Sequence, residues 1–211
     1  MLDIGSGKCG WLARIADSYN ARCIGVEPAK LFADEARRLH ATLIRDGRLE
    51  VVESDANSFL KSRPGRTFDA ALCVGSSHAF GTYILSLEAL ASCVKPGGIV
   101  VMGEGYWKKK PDPEYLTALG GEESEMTSHA GNIRAAIDRG YTPLWCCTVT
   151  DDEWDEYEWG YSRGIETFIR ENPDDPDAAP MIEKSRSWRE TYITWGRDTL
   201  GFGLYVLRAK A

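Results

Sequence analysis

The chain has 211 residues, of which 43% are apolar and 27% charged, with 25 basic against 32 acidic side chains, a net charge of −7 and six cysteines. This describes one ordinary globular domain and excludes collagen-like, disulfide-scaffold and disordered classes. The negative balance disfavours nucleic acid as a partner, because a grip on phosphate is built from clustered Lys and Arg and the one basic run is Lys108-Lys109-Lys110. No apolar stretch approaches the roughly 18 residues of a membrane span. The N-terminus reaches charged and glycine positions at once, so no secretory signal is read and a cytoplasmic location is expected. Cys9, Cys23, Cys73, Cys93, Cys146 and Cys147 form no C-x-x-C pair and have no His at ligand spacing, so reduced, buried thiols and no metal are expected.

In chain order the pattern alternates short β-like runs with amphipathic helices. Met1 to Ile4 is a strand, Trp11, Leu12, Ile15, Ala16 and Tyr19 recur at helical spacing, and Arg22 to Val26 is the next strand. Leu31, Phe32, Ala36, Leu39, Leu43 and Ile44 mark a helix, followed by a strand at Leu49 to Val52, a helix near Ala56 to Leu60 and a strand at Phe68 to Val74. A further helix carries Ile84, Leu87, Leu90, Ala91 and Val94 on one face. Lys95-Pro96-Gly97-Gly98 then reads as a type II turn, with proline presetting the first central position and glycine supplying positive φ at the second, before a strand at Ile99 to Met102. Five β/α repeats require parallel strands with helices on both faces, which is a doubly wound α/β sheet.

The second half reads as a helix around Ile133 to Asp138, a strand around Leu144 to Val149, an acidic aromatic helix from Asp152, a Pro/Asp loop from Asn172 to Pro180, another helix and a last strand at Phe202 to Leu207. The expectation is a single domain over 1–211 whose last two strands embrace a helical cap insertion, 151–199.

The loop Asp3-Ile4-Gly5-Ser6-Gly7-Lys8-Cys9-Gly10 follows a strand and opens a helix, and its glycines satisfy G-x-G-x-x-G. Glycine lets the backbone approach a ligand, and the helix N-terminus offers N–H groups. Taken alone, the loop also suits NAD. Glu27, ending the second strand, can accept hydrogen bonds from ribose hydroxyls in either nucleotide class. Asp55-Ala56, the strand Phe68 to Gly75 and the Pro-Gly-Gly turn have no place in the dehydrogenase fingerprint. In order and spacing these segments resemble the motifs of class I S-adenosylmethionine-dependent methyltransferases. Gly103 to Trp107, Trp154 to Glu158, Glu171 to Asp175 and Gly201 to Gly203 are similar to the bacterial YjhP-type methyltransferases.

That resemblance implies a Rossmann-like seven-stranded sheet, five parallel strands plus a final antiparallel strand, with the helical insertion between the last two. It implies S-adenosylmethionine as cofactor and S-adenosylhomocysteine as product. By it, Asp3, Gly5, Ser6 and Gly7 meet the methionine part, Glu27 and Pro28 the ribose, Asp55 and Ala56 the adenine, Leu31 the adenine face, and Cys73, Val74 and Gly75 the edge nearest the acceptor. Two departures stand out. Cys9 occupies a position where the family has glycine, and the chain starts inside the first strand where relatives carry a covering helical segment. A truncated or misassigned start is expected, with a more open site as the alternative; a chain really this short would have a shortened first strand and weakened cofactor affinity.

Methyl transfer is an in-line displacement that mainly needs alignment, exclusion of water and sometimes removal of a proton. His78 lies just past the fourth strand, where ligands of open α/β sheets collect, and is a candidate general base beside a loop-stabilising role. Glu104 and Tyr106 leave the fifth strand on the same edge as candidate pocket or base residues. His40, His129 and the pair Cys146-Cys147 read as structural. Trp154, Tyr157, Trp159 and Tyr161, among acids 151 to 158, suit either a cationic ligand or the core side of a helix. The function expected is methyl transfer to a small-molecule acceptor, with an NAD-dependent oxidoreductase and a non-catalytic cofactor-binding module as alternatives.

Overall fold

The computed structural model describes residues 1–63 and 68–210. Among them, β1 (Leu2–Ile4), β2 (Cys23–Glu27), β3 (Leu49–Glu53), β4 (Phe68–Val74), β5 (Val94–Trp107), β6 (Thr142–Thr148) and β7 (Leu200–Arg208) form one sheet in the order β3-β2-β1-β4-β5-β7-β6. β1 pairs in parallel with β2 and β4, β2 with β3, and β4 with β5. Gly97 N donates to Lys210 O at 3.3 Å, Ala209 N to Gly98 O and Lys108 N to Thr199 O, both at 2.8 Å, so β5 and β7 run in opposite directions. This is the doubly wound Rossmann-like sheet with an antiparallel last strand, and helices intervene between β6 and β7. The order reverses at β1, which sits between β2 and β4; a ligand crevice opens there at the carboxyl ends of the strands.

β1 and β2 are buried along their whole length, as central strands covered on both faces must be. On one side Leu2, Ile4, Val26, Phe59, Leu87, Leu90, Val100, Met102, Tyr205 and Leu207 share a core. A smaller cluster of Cys9, Leu12, Ala16, Cys23, Ala36 and Leu49 packs around helix α1 (Gly10–Tyr19). α1 buries Leu12, Ala13 and Ala16, whereas Trp11 and Tyr19, assigned to the inward face by spacing, are exposed. The periodic stretch Leu31 to Ile44 is two helices, α2 (Lys30–Leu39) and α3 (Ala41–Arg45). They part at His40, whose ring Nε2 lies 3.0 Å from Lys8 O and, since a carbonyl only accepts, carries the proton. Helices α4 (Ala56–Ser62) and α5 (Tyr83–Cys93) follow β3 and β4.

The Pro-Gly turn is not a separate connection before β5 but an irregularity within it. Val94 pairs with Phe68 and Ile99 with Ala70, so the intervening residues bulge out, and Gly97 has the positive φ, +73°, that such a turn demands. At Gly98 the constraint is space: a Cβ would lie 2.8 Å from Lys95 O and 3.1 Å from Asp69 O, both backbone atoms.

By packing the chain divides into two compact units, Met1–Glu104 with Ala130–Cys147 and Leu204–Ala211, and Gly105–His129 with Thr148–Gly203. The first contains most of helix α7 (His129–Asp138). The second contains α6 (Pro113–Leu119), α8 (Asp151–Glu171) and α9 (Ala178–Thr191), with a π-helical turn at Tyr192–Gly196. α6 escaped the periodicity, yet its start is written in Asp112-Pro113: Asp112 accepts from Glu114 N at 2.9 Å and proline takes the first turn. α8 opens on a capping box, Thr150 N donating to Glu153 Oε2 at 2.8 Å and Glu153 N to Thr150 Oγ1 at 3.3 Å. α9 starts at Ala178, so Ala178 to Pro180 are helical rather than loop.

The two glycine environments predict contrasting costs. Gly98→Ala, which meets immovable backbone, lowers stability by about 1–3 kcal/mol, whereas Gly10→Ala, with nothing within 4 Å of the added carbon, does not. Urea unfolding of the two variants beside the parent chain checks this, and equal midpoints contradict it.

Candidate functional site

The candidate site is built at the reversal point of the sheet, within the first unit. Leaving β1, Gly5 N and Ser6 N both donate to Val26 O, at 2.9 and 3.1 Å, which folds the loop back over the end of β2. Gly5 and Gly7 have φ of +71° and +53°, and a Cβ on Gly5 would collide with the Ser76 side chain beyond β4. Glycine is needed there for conformation and for close approach.

Cys9 caps α1 in the same left-handed conformation, φ 57°, which glycine adopts more cheaply. Its thiol donates to Ser6 Oγ at 3.4 Å and is buried, and desolvation pushes its pKa up. The room comes from Gly25 in β2, where a Cβ would fall 2.6 Å from Cys9 Sγ. The family's glycine is thus replaced by a side chain that fills the space a second glycine leaves.

Glu27, at the end of β2, is buried and accepts Gly7 N on Oε2 and Ala29 N on Oε1, each at 2.9 Å. One carboxylate therefore pins the glycine loop to the start of α2. Asp3 is buried in β1, and burial together with the charge of Glu27 pushes its carboxyl up to about 7.

A cleft of about 360 Å³ lies over these strand ends. It gathers Gly5, Gly7, Glu27, Pro28, Asp55, Ala56 and His78 from the sequence-derived set, and adds Ile4, Val26, Phe32, Ser54, Ser76 and Ala79. Asp55 caps α4, accepting from Ser58 N at 2.9 Å, which holds its carboxyl below the usual range. His78 is exposed, on a 3₁₀ turn at Ser77–Ala79. The wall residue on α2 is Phe32, while Leu31 stands 75% exposed and does not line the cleft. One residue along a helix is a rotation of about 100°, which the apolar pattern of Leu31-Phe32 does not resolve.

Asp3, buried in β1, and Ser6, within the loop itself, do not line this cleft. Cys73 is fully buried in β4 between Ile4 and Met102, and its thiol is pushed up to about 12, chiefly by desolvation. Val74 is half-buried, and Gly75 turns the chain with φ +67° while donating to Gly103 O at 2.9 Å. Glu104 is half-buried and its charge helps to raise both Cys73 and Tyr83. Tyr106 belongs to the second unit, where its buried ring covers Gly201 and tilts against His129 with centroids 5.4 Å apart. Among the described residues no group of His, Cys, Asp or Glu could hold a metal ion, and no helix is long and apolar enough to cross a membrane.

Asp3 predicts a pH-dependent stability. Its folded pKa lies above the unfolded value, so the folded state holds a proton that the unfolded state has lost, and stability falls as pH rises from about 4 towards 7. Asp3→Asn removes that penalty and stabilises the chain at pH 8 by about 3 kcal/mol relative to its effect at pH 4. Thermal unfolding of both proteins across this range measures it, and parallel pH profiles contradict it.

A methyltransferase-domain family model matches residues 1–98. YjhP of Escherichia coli (strain K12) is 28% identical over 212 residues, covering 100% of this chain and 84% of that protein. Its X-ray structure aligns with a TM-score of 0.86, covering 99% of this chain and 85% of that one. The S-adenosylmethionine-dependent methyltransferases of Thiobacillus denitrificans and Geobacter sulfurreducens, both crystallised with S-adenosyl-L-homocysteine, are 27% and 25% identical with TM-scores of 0.86 and 0.85. Each alignment covers 99% of this chain and 84% of the other. With the glycine loop, the acid ending β2 and the sheet order already described, the methyltransferase domain over residues 1–98 and these relatives support an S-adenosylmethionine-dependent methyltransferase.

Proposed function

We propose that the cleft over β1, β2 and β3 seats S-adenosylmethionine and that the chain transfers its methyl group to a small-molecule acceptor in the cytoplasm. The observation that carries this is Glu27, a buried carboxylate fixed by two backbone N–H groups and lining a nucleotide-sized cleft. Each carboxylate oxygen spends one lone pair on those bonds and keeps another for a ribose hydroxyl. Pro28 borders the ribose, Asp55 and Ala56 receive the adenine edge, and Phe32 covers the base. Gly5 and Gly7 let the methionine part approach the backbone, with Ser6 holding the loop's shape and Asp3 placing negative charge beneath a cationic ligand. Cys73, Val74 and Gly75 form the edge nearest the acceptor. Two structural relatives were crystallised with S-adenosyl-L-homocysteine, which supports the same cofactor here.

When bound, the cofactor supplies an electrophilic methyl carbon on a sulfonium. The chain's own part is to align the acceptor, exclude water and accept a proton from an acceptor O–H or N–H. His78 takes that proton on an imidazole nitrogen from the cleft wall. Glu104 serves as a second carboxylate for a polar acceptor. The basic run Lys108 to Lys110 is partly spent inside the protein, Lys108 donating to Asp151 at 2.7 Å and Arg197 O at 2.8 Å, which favours a small molecule over a nucleic acid.

Calorimetric titration with S-adenosylmethionine, S-adenosylhomocysteine and NAD tests the cofactor reading. Saturable binding of the two sulfur nucleotides is expected, weakened about tenfold or more in Glu27→Ala through loss of charge-assisted hydrogen bonds. Preference for NAD, or no binding at all, overturns it. Release of S-adenosylhomocysteine across an acceptor panel separates an enzyme from a binding module. With an accepted substrate, His78→Ala lowers kcat by about a hundredfold while leaving S-adenosylhomocysteine affinity unchanged; full turnover removes His78 as the base.

A further inference from the structure

The second unit contains a cavity of about 510 Å³ between α6, α8 and α9, taken by itself within that unit. One wall comes from Tyr157, Glu158 and Tyr161 of α8, the facing wall from Lys184, Ser187, Trp188 and Thr191 of α9. The spacings, i to i+4 on α8 and i, i+3, i+4, i+7 on α9, put each set on one helix face.

Glu158 is the anomaly in this lining. It is 9% exposed, and its only hydrogen bond among the described residues comes from Trp188 Nε1 to Oε2 at 2.7 Å. No Lys, Arg or His among the described residues comes within 4 Å of its carboxylate, because the neighbouring cations are engaged elsewhere. Arg186 and Arg189 pair with Glu166 at 3.0 and 3.6 Å, and Arg197 with Asp155 at 3.0 Å. Lys184 lines the same cavity but makes no ion pair with Glu158. A carboxylate removed from water without a cation is costly, and desolvation indeed pushes its pKa up.

Around that acid the cavity offers aromatic rings, and tyrosine and tryptophan faces attract cations. A single carboxylate with aromatic neighbours is a poor site for calcium or magnesium, which need six or more oxygen ligands. It matches an organic ammonium, whose charge is diffuse and whose alkyl groups suit apolar walls. We propose that the cavity between α6, α8 and α9 binds an organic ammonium ion, with Glu158 as its counter-ion and Tyr157, Tyr161 and Trp188 around its alkyl groups.

This site is distinct in its residues from the cleft over β1, β2 and β3, so it is tested without the cofactor. The full-length chain is titrated calorimetrically with choline, tetramethylammonium and ethanolamine chlorides, and with 3,3-dimethyl-1-butanol, the neutral carbon isostere of choline. Saturable binding of at least one ammonium is expected, weakened about tenfold or more for the neutral isostere and in Glu158→Gln. The glutamine keeps an oxygen for Trp188, and its thermal unfolding reports whether the fold is retained; the isostere comparison in the unaltered protein needs no variant. Equal binding of choline and its isostere, unchanged choline binding in a folded Glu158→Gln, or no saturation by any of the three ammonium ions overturns the proposal. Adding S-adenosylmethionine and assaying S-adenosylhomocysteine release with ethanolamine distinguishes a methyl acceptor from a ligand bound unmodified, and the ammonium site stands in both cases.

Discussion

The glycine loop at the reversal point of the sheet depends on the two hydrogen bonds that Glu27 accepts from Gly7 N and Ala29 N. A loop with positive φ at Gly5, Gly7 and Cys9 has little regular structure to hold it, so its shape has to be imposed from outside. The carboxylate does this from the end of a strand buried along its whole length, where it cannot swing into solvent. The cost appears at Asp3, one strand away, whose carboxyl is pushed up chiefly by its own burial and further by the charge of Glu27. An acid pair strained in this way is stabilised by a cationic ligand, and S-adenosylmethionine carries positive charge on both sulfur and amine.

Cys9 shows how such a loop tolerates a departure from its family's pattern. The left-handed cap persists although the residue has a side chain, and the thiol occupies volume left open in β2 by Gly25. Neither position is interpretable alone. A glycine inside a buried strand has no conformational reason to be there, and it acquires one only when its neighbour across the loop is seen.

Much of the architecture was legible because it rests on period and punctuation. The β/α alternation, the acid after Val26 and the glycine loop each follow from local chemistry. What escaped depended on rotation or on distant partners. Phe32 rather than Leu31 faces the cleft because the two lie about 100° apart on α2, a difference that an apolar pair does not encode. Trp11 and Tyr19 fitted the spacing of α1 but stayed exposed, since α1 closes its contacts with Leu12, Ala13 and Ala16. The aromatics of α8 were weighed as core, yet Tyr157, Trp159 and Tyr161 are exposed, and only Trp154 stacks inward, on Phe202 at 6.0 Å. Tyr157 and Tyr161 line a cavity with α9, some thirty residues further along, which no window of sequence contains.

The central claim is that Glu27 holds the glycine loop and the cofactor ribose at once. A crystal structure of the chain with S-adenosylhomocysteine tests it most directly. The account predicts ribose hydroxyls within hydrogen-bond distance of the Glu27 carboxylate, with the Gly7 and Ala29 bonds intact and the adenine beside Asp55 and Phe32. A ligand seated away from Glu27, or a loop that abandons Gly7 N to Glu27 on binding, would contradict it.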